Sequence, residues 1–113
     1  MKEIKAIFQR FMLGDVCDAL EQIEGLPGLT MSEVLGYGKS RAVGVENPHE
    51  EGGRGFAKKT KLEVVVTDEM APVVVEAIAR AAHTGKAGDG KVFVYEVQEV
   101  VKIRTLERGP SAI

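Results

Sequence analysis

The chain has 113 residues, of which 44% are hydrophobic and 28% charged, and its formal charge is −2. That length supports one modest core with no room for a second domain, and the near-neutral balance supplies no basic face for nucleic acid. No apolar run approaches a membrane span, the first residues lack a signal-peptide pattern, and the single Cys17 cannot close an internal disulfide, so a cytoplasmic location is the expectation.

Residues 3–11 alternate, with Ile4, Ala6 and Phe8 on one face and Lys5, Ile7 and Gln9 on the other, which predicts a strand. Leu13, Val16, Cys17, Leu20 and Ile23 then recur at three-and-four spacing, the apolar stripe of a helix. On that stripe Cys17 is expected to be a buried core residue. Gly25, Pro27 and Gly28 end the helix, and alternation returns from Leu29 to Leu35. A third strand is expected over 60–66, with Leu62, Val64 and Val66 opposed to Lys61 and Glu63.

A second helix is expected from about Asp68 to His83, turning Met70, Val74, Ile78, Ala81 and Ala82 to the sheet. Pro72 fits only its first turn, His83 suits the negative end of its dipole, and Gly85 suits its cap. Strands over 92–97 and 101–104 complete the chain. Strand, helix, strand, strand, helix, strand is the ferredoxin-like double βαβ order: an α+β fold with an antiparallel sheet and two helices on one face. The other face would carry Ile7 and Phe93, so a partner surface must cover it, and some oligomer is expected.

The segment from Gly36 to Gly55 stands apart. Six of its twenty residues are glycine, and no apolar period runs through it. Residues 38–61 carry a net charge of +3 against −5 for the rest of the chain. A long loop, about 38–58, is therefore expected, mobile when free and ordered on meeting a partner. His49, Glu50 and Glu51, with or without Glu46, could hold a divalent metal, but one imidazole with flexible carboxylates is a weak ligand set, and a solvated charged tip is the plainer reading.

The run Thr84-Gly85-Lys86-Ala87-Gly88-Asp89-Gly90-Lys91 joins the second helix to the strand beginning at Val92. Glycines free the backbone N–H groups to close around a small anion, and Lys91 adds a positive charge at the exit. The Walker pattern is absent, and an ordinary helix-to-strand turn remains the alternative. On a strand over 101–104, Lys102 and Arg104 would share one face, opposite Val101 and Ile103. Two cations in register beside a glycine turn suit phosphate oxygens.

The stretch from Thr84 to Val94, followed by Val101-Lys102-Ile103-Arg104-Thr105, resembles the C-terminal signature of the PII signal-transduction proteins. Met1-Lys2-Glu3-Ile4-Lys5-Ala6-Ile7, Gly28-Leu29-Thr30-Met31-Ser32-Glu33-Val34, Gly36-Tyr37-Gly38 and the tail from Glu107 to Ile113 agree with it. The likeness covers the chain except about residues 40–58. It implies a homotrimer that binds ATP or ADP between subunits and regulates a partner, such as a membrane transporter or an enzyme, through its loop. By the same likeness, Gly28, Leu29, Thr30 and Val65 would lie on the adenine side. Gly38, Lys39, Gly88, Asp89, Gly90, Lys91, Lys102, Ile103 and Arg104 would surround the phosphates.

Lys39 and Lys102 stand where the family usually has arginine, which keeps the charge and loses the bidentate grip. Ser40 replaces a glutamine that helps place magnesium and 2-oxoglutarate, while Lys59 matches the lysine that meets the 2-oxoglutarate carboxylate. Ser40 and Lys59 are thus candidate effector contacts, a magnesium ion is left open, and weak or absent 2-oxoglutarate binding is expected. The usual loop tyrosine is missing, since Gly52 takes its place and the tyrosines are Tyr37 and Tyr95, so tyrosine nucleotidylation is excluded. A metal-responsive trimer linked to an efflux transporter and a small nucleotide hydrolase are the competing readings. Against an enzyme stands the lack of a Ser/His/Asp or Cys/His set or a carboxylate pair beside the glycine turn.

Overall fold

A computed structural model describes residues 1–37, 50–51 and 56–113. Strand β1 (Lys2–Gln9) leads through a 3-10 turn (Arg10–Met12) into helix α1 (Leu13–Glu21). Then come β2 (Thr30–Gly36), the two-residue β3 (Glu50–Glu51), β4 (Phe56–Val66), α2 (Ala71–Ala82) and β5 (Gly90–Glu96). The sheet order is β2-β4-β1-β5, and β3 pairs with β4. Every named strand pair is antiparallel. This is the ferredoxin-like α+β arrangement, with both helices packed on one sheet face.

The alternation along β1 sets that layering. Ile4, Ala6 and Phe8 are buried under the helices, where they meet Leu62, Val64 and Val66 of β4. Val16 and Leu20 of α1, with Val74 and Ile78 of α2, close the core from above. Each of these side chains larger than alanine, fully removed from water, contributes about 1.5–3 kcal/mol. Pro72 lies in the first turn of α2, where its missing N–H costs nothing. The turn before α2 is tied by Thr67, whose hydroxyl accepts from the Met70 amide at 3.3 Å.

Several local expectations are corrected. The first strand stops at Gln9 rather than residue 11, because its last partners are Lys59 on one side and Gly90, opposite Phe8, on the other. Cys17 is half-buried, not a core residue. Helix α2 ends at Ala82, with His83 already extended at its C-cap, so Gly85 belongs to the following turn. The loop expected over 38–58 is strand at 56–58, where Ala57 pairs with Gly36 and Lys58 with Leu35, and at Glu50–Glu51. Tyr37 and Phe56 meet just past that last pair, ring centroids 5.3 Å apart. The rest of the expected loop lies outside the described residues.

Residues 101–104 do not form a strand. Val101 makes an isolated bridge to Arg108, the Lys102 amide donates to the Glu107 carbonyl at 2.9 Å, and Gly109 donates to Val100 at 3.0 Å. The segment pairs with its own continuation in a narrow hairpin, closed by the Leu106 amide on the Lys102 carbonyl at 2.7 Å. Leu106 there takes φ 62°. Alternating chemistry is not enough for a strand without a neighbouring edge to bond, so Lys102 and Arg104 do not stand in register on a strand face. Among the described residues no helix is long and apolar enough to cross a membrane.

Candidate functional site

The face of the sheet away from the helices carries Glu3, Lys5, Ile7 and Gln9 from β1. Across from them stand Lys59, Lys61, Glu63 and Val65 of β4, and Lys91, Phe93 and Tyr95 of β5. Lys5 lies over both rings of β5, its Nζ 5.4 Å from the Phe93 centroid and 4.9 Å from that of Tyr95. Two features border this face, and they sit at opposite ends of the strands.

The first is the turn between α2 and β5. Gly85, Gly88 and Gly90 adopt φ of 85°, 94° and 103°, the left-handed region that glycine enters without strain. A Cβ at Gly88 would lie 2.8 Å from Gln9 Nε2, so the end of that side chain packs close against the bare peptide. Lys59 Nζ donates to the Gly88 carbonyl at 2.9 Å. Burial pulls the Lys59 pKa down, and the nearby Asp89 carboxylate offsets part of that.

Asp89 is engaged within the turn. Its Oδ2 accepts from the amides of Thr84 at 2.7 Å and Gly85 at 2.9 Å, and its Oδ1 accepts from the Thr84 hydroxyl. His83 Nδ1 stands 3.9 Å from Oδ2. Partial burial opposes ionisation of Asp89, but the bonds from Thr84 and Gly85, with the nearby His83 ring, outweigh it and hold the carboxyl below the usual range. Lys91 leaves the turn opposite Ile7, on the open face.

The second feature is a pocket of about 270 Å³ lined by Glu3, Pro27, Gly28, Thr30, Glu63, Val64, Val65 and Ile113. It brings together Gly28, Thr30 and Val65, which the family resemblance would put on the adenine side of a nucleotide site. Leu29, expected with them, instead packs against the core. Glu3, Pro27, Glu63, Val64 and Ile113 are wall residues outside the set expected from the sequence. Alternation put Glu63 on the right face, but only the pairing of Glu63 with Thr30 brings it to the pocket. Nothing local marks Ile113, which arrives through the fold of the tail.

Lys102, Ile103 and Arg104 lie in the hairpin that follows β5. β5 begins at the glycine turn and ends at Glu96, and the next residue, Val97, donates to the Met1 carbonyl at 3.0 Å. The hairpin therefore departs from the end of the sheet remote from Lys91. Ile103 is 90% exposed, and Lys102 Nζ is 3.9 Å from Glu107. Gly38, Lys39 and Ser40, and with them Glu46 and His49, lie outside the described residues.

The model of the nitrogen regulatory protein P-II family matches residues 1–107. Among curated proteins, the nitrogen regulatory protein P-II of Rhizobium meliloti is 45% identical over 119 aligned positions that cover the whole of both chains. That of Azospirillum brasilense is 44% identical, and nitrogen regulatory protein P-II 1 of Escherichia coli 42%, each over the same full extent.

Proposed function

The chain belongs to the nitrogen regulatory protein P-II family, and from that premise we propose a regulatory protein that binds ATP or ADP between the subunits of a homotrimer. It would control a partner, a transporter or an enzyme, through the segment 38–58. The observation that carries this reading is the glycine turn, with three left-handed glycines, Lys91 at its exit and the Lys59 ammonium against it. Backbone N–H groups and two nearby cations suit phosphate oxygens.

The pocket supplies complementary chemistry. Its apolar walls and the Thr30 hydroxyl suit a flat base, and Glu3 and Glu63 can accept from an amino group. Phosphates would be repelled by those two carboxylates, so base and phosphates need separate subsites. Along β1 the Glu3 and Ile7 rows are four residues, roughly 13 Å, apart. The hairpin cations leave the sheet at the pocket end, away from the turn. Two copies, one offering the pocket and hairpin and the next its turn, would complete a site that neither holds alone.

Calorimetric titration of ATP and ADP tests the reading, with Arg104→Ala as the diagnostic variant. Loss of one charge-assisted phosphate contact should cost about 1.5–3 kcal/mol of binding free energy. Unchanged affinity would reject Arg104 as a phosphate contact, and phosphate release during the titration would make the protein an enzyme.

A further inference from the structure

Asp89 lies in the turn proposed to face phosphate, yet it carries the same sign of charge as that ligand. A carboxylate free to point at phosphate would oppose binding. Here both of its oxygens are occupied: Oδ2 by the Thr84 and Gly85 amides, Oδ1 by the Thr84 hydroxyl. The Thr84 hydroxyl oxygen in turn accepts from the Lys86 amide at 3.2 Å. Three successive amides, those of residues 84 to 86, are thus bound inside the turn. On its other flank the same turn is held by Lys59 Nζ on the Gly88 carbonyl.

We propose that Asp89 is a positioning residue: it clamps the entry of the turn so that the amides of Ala87, Gly88 and Asp89 present themselves to the ligand. The donors around its carboxylate spread the charge it would otherwise direct at phosphate. Glycine is needed at 85 and 88 for the left-handed backbone, and that freedom would leave the turn loose without an internal clamp. Asp89 turns a permissive loop into a preorganised one. The proposal rests on the nucleotide reading for its functional meaning, while the clamp itself is a property of the chain.

Amide hydrogen exchange and ATP titration on Asp89→Ala and Asp89→Asn test it, with thermal melts confirming that both fold. In Asp89→Ala the Thr84 and Gly85 amides should exchange on the order of tenfold faster, and ATP affinity should fall by about the same factor, as expected for bonds to a charged group. Asparagine can accept from both amides through its oxygen and donate its NH2 to the Thr84 hydroxyl oxygen, so Asp89→Asn should recover most of both losses. Unchanged exchange in Asp89→Ala would overturn the clamp. Restored exchange without restored ATP affinity in Asp89→Asn would overturn positioning in favour of a direct role for the charge. A wild-type protein that takes up no nucleotide would sink the nucleotide reading alone, with exchange still deciding the clamp.

Discussion

Gly88 and Gly90 look alike in the sequence, but their surroundings differ. A Cβ at Gly90 would fall 1.8 Å from the Ile7 carbonyl oxygen and 3.0 Å from the Phe8 Cα, both rigid backbone of the central strand. At Gly88 the nearest obstacle, at 2.8 Å, is the end of the flexible Gln9 side chain. Both positions add the strain of a left-handed backbone, of order 1–3 kcal/mol for a residue with a Cβ. Gly90→Ala should therefore lower stability in urea denaturation by at least about 3 kcal/mol, and Gly88→Ala by about 1–2 kcal/mol. Equal losses would show that the β5–β1 contact yields more easily than its geometry implies. Neither environment is visible in the motif, because Ile7 and Gln9 are some eighty residues distant along the chain.

Helix α2 shows how far periodicity carries and where it stops. Val74 and Ile78 are fully buried, as their spacing requires, while Val73 on the adjoining face is 52% exposed. Ile78→Ala should cost about 2–5 kcal/mol in chemical denaturation, since it removes buried methylenes and leaves a cavity over β1 and β4. Val73→Ala should stay within about 0.5 kcal/mol of the parent, alanine's better helix propensity offsetting the little burial lost. A comparable loss at both sites would put the wrong face of α2 against the sheet. The hairpin after β5 is the contrary case. Its Val-Lys-Ile-Arg alternation suits a strand, but the bonds go to residues 107–109 of the same segment instead of the sheet.

The open sheet face and the hairpin leave apolar groups in water. Ile103 and Leu106 are 90% and 74% exposed, and the stacked rings of Phe93 and Tyr95 lie on the open face. Such surface on a small chain calls for burial against another copy, and closed rotational symmetry is the usual means. The proposed trimer would bury these groups and bring pocket and turn from different copies together. Light scattering at micromolar concentration should report three times the 12.2 kDa chain mass. A monomer would remove both the assembly and the shared-site reading, whereas a stable dimer would keep a shared site but not its threefold arrangement.

What could be read from the residues alone is what depends on near neighbours in the chain. The alternation of β1 and β4, the apolar stripes of α1 and α2, Pro72 at a helix start and the glycine turn all follow from side-chain periodicity and backbone sterics. These fix the element order, and with it the ferredoxin-like fold. The remainder depends on contacts between distant residues, which leave no local trace. The resemblance sets Asp89 beside phosphate, but its hold on the turn is visible only where its oxygens meet the Thr84 and Gly85 amides. The resemblance marks Lys59 as an effector contact, but only the fold brings its ammonium to the Gly88 carbonyl. Ile113 joins Glu3 and Val65 in one pocket across nearly the whole chain, because packing, unlike periodicity, takes no account of sequence distance.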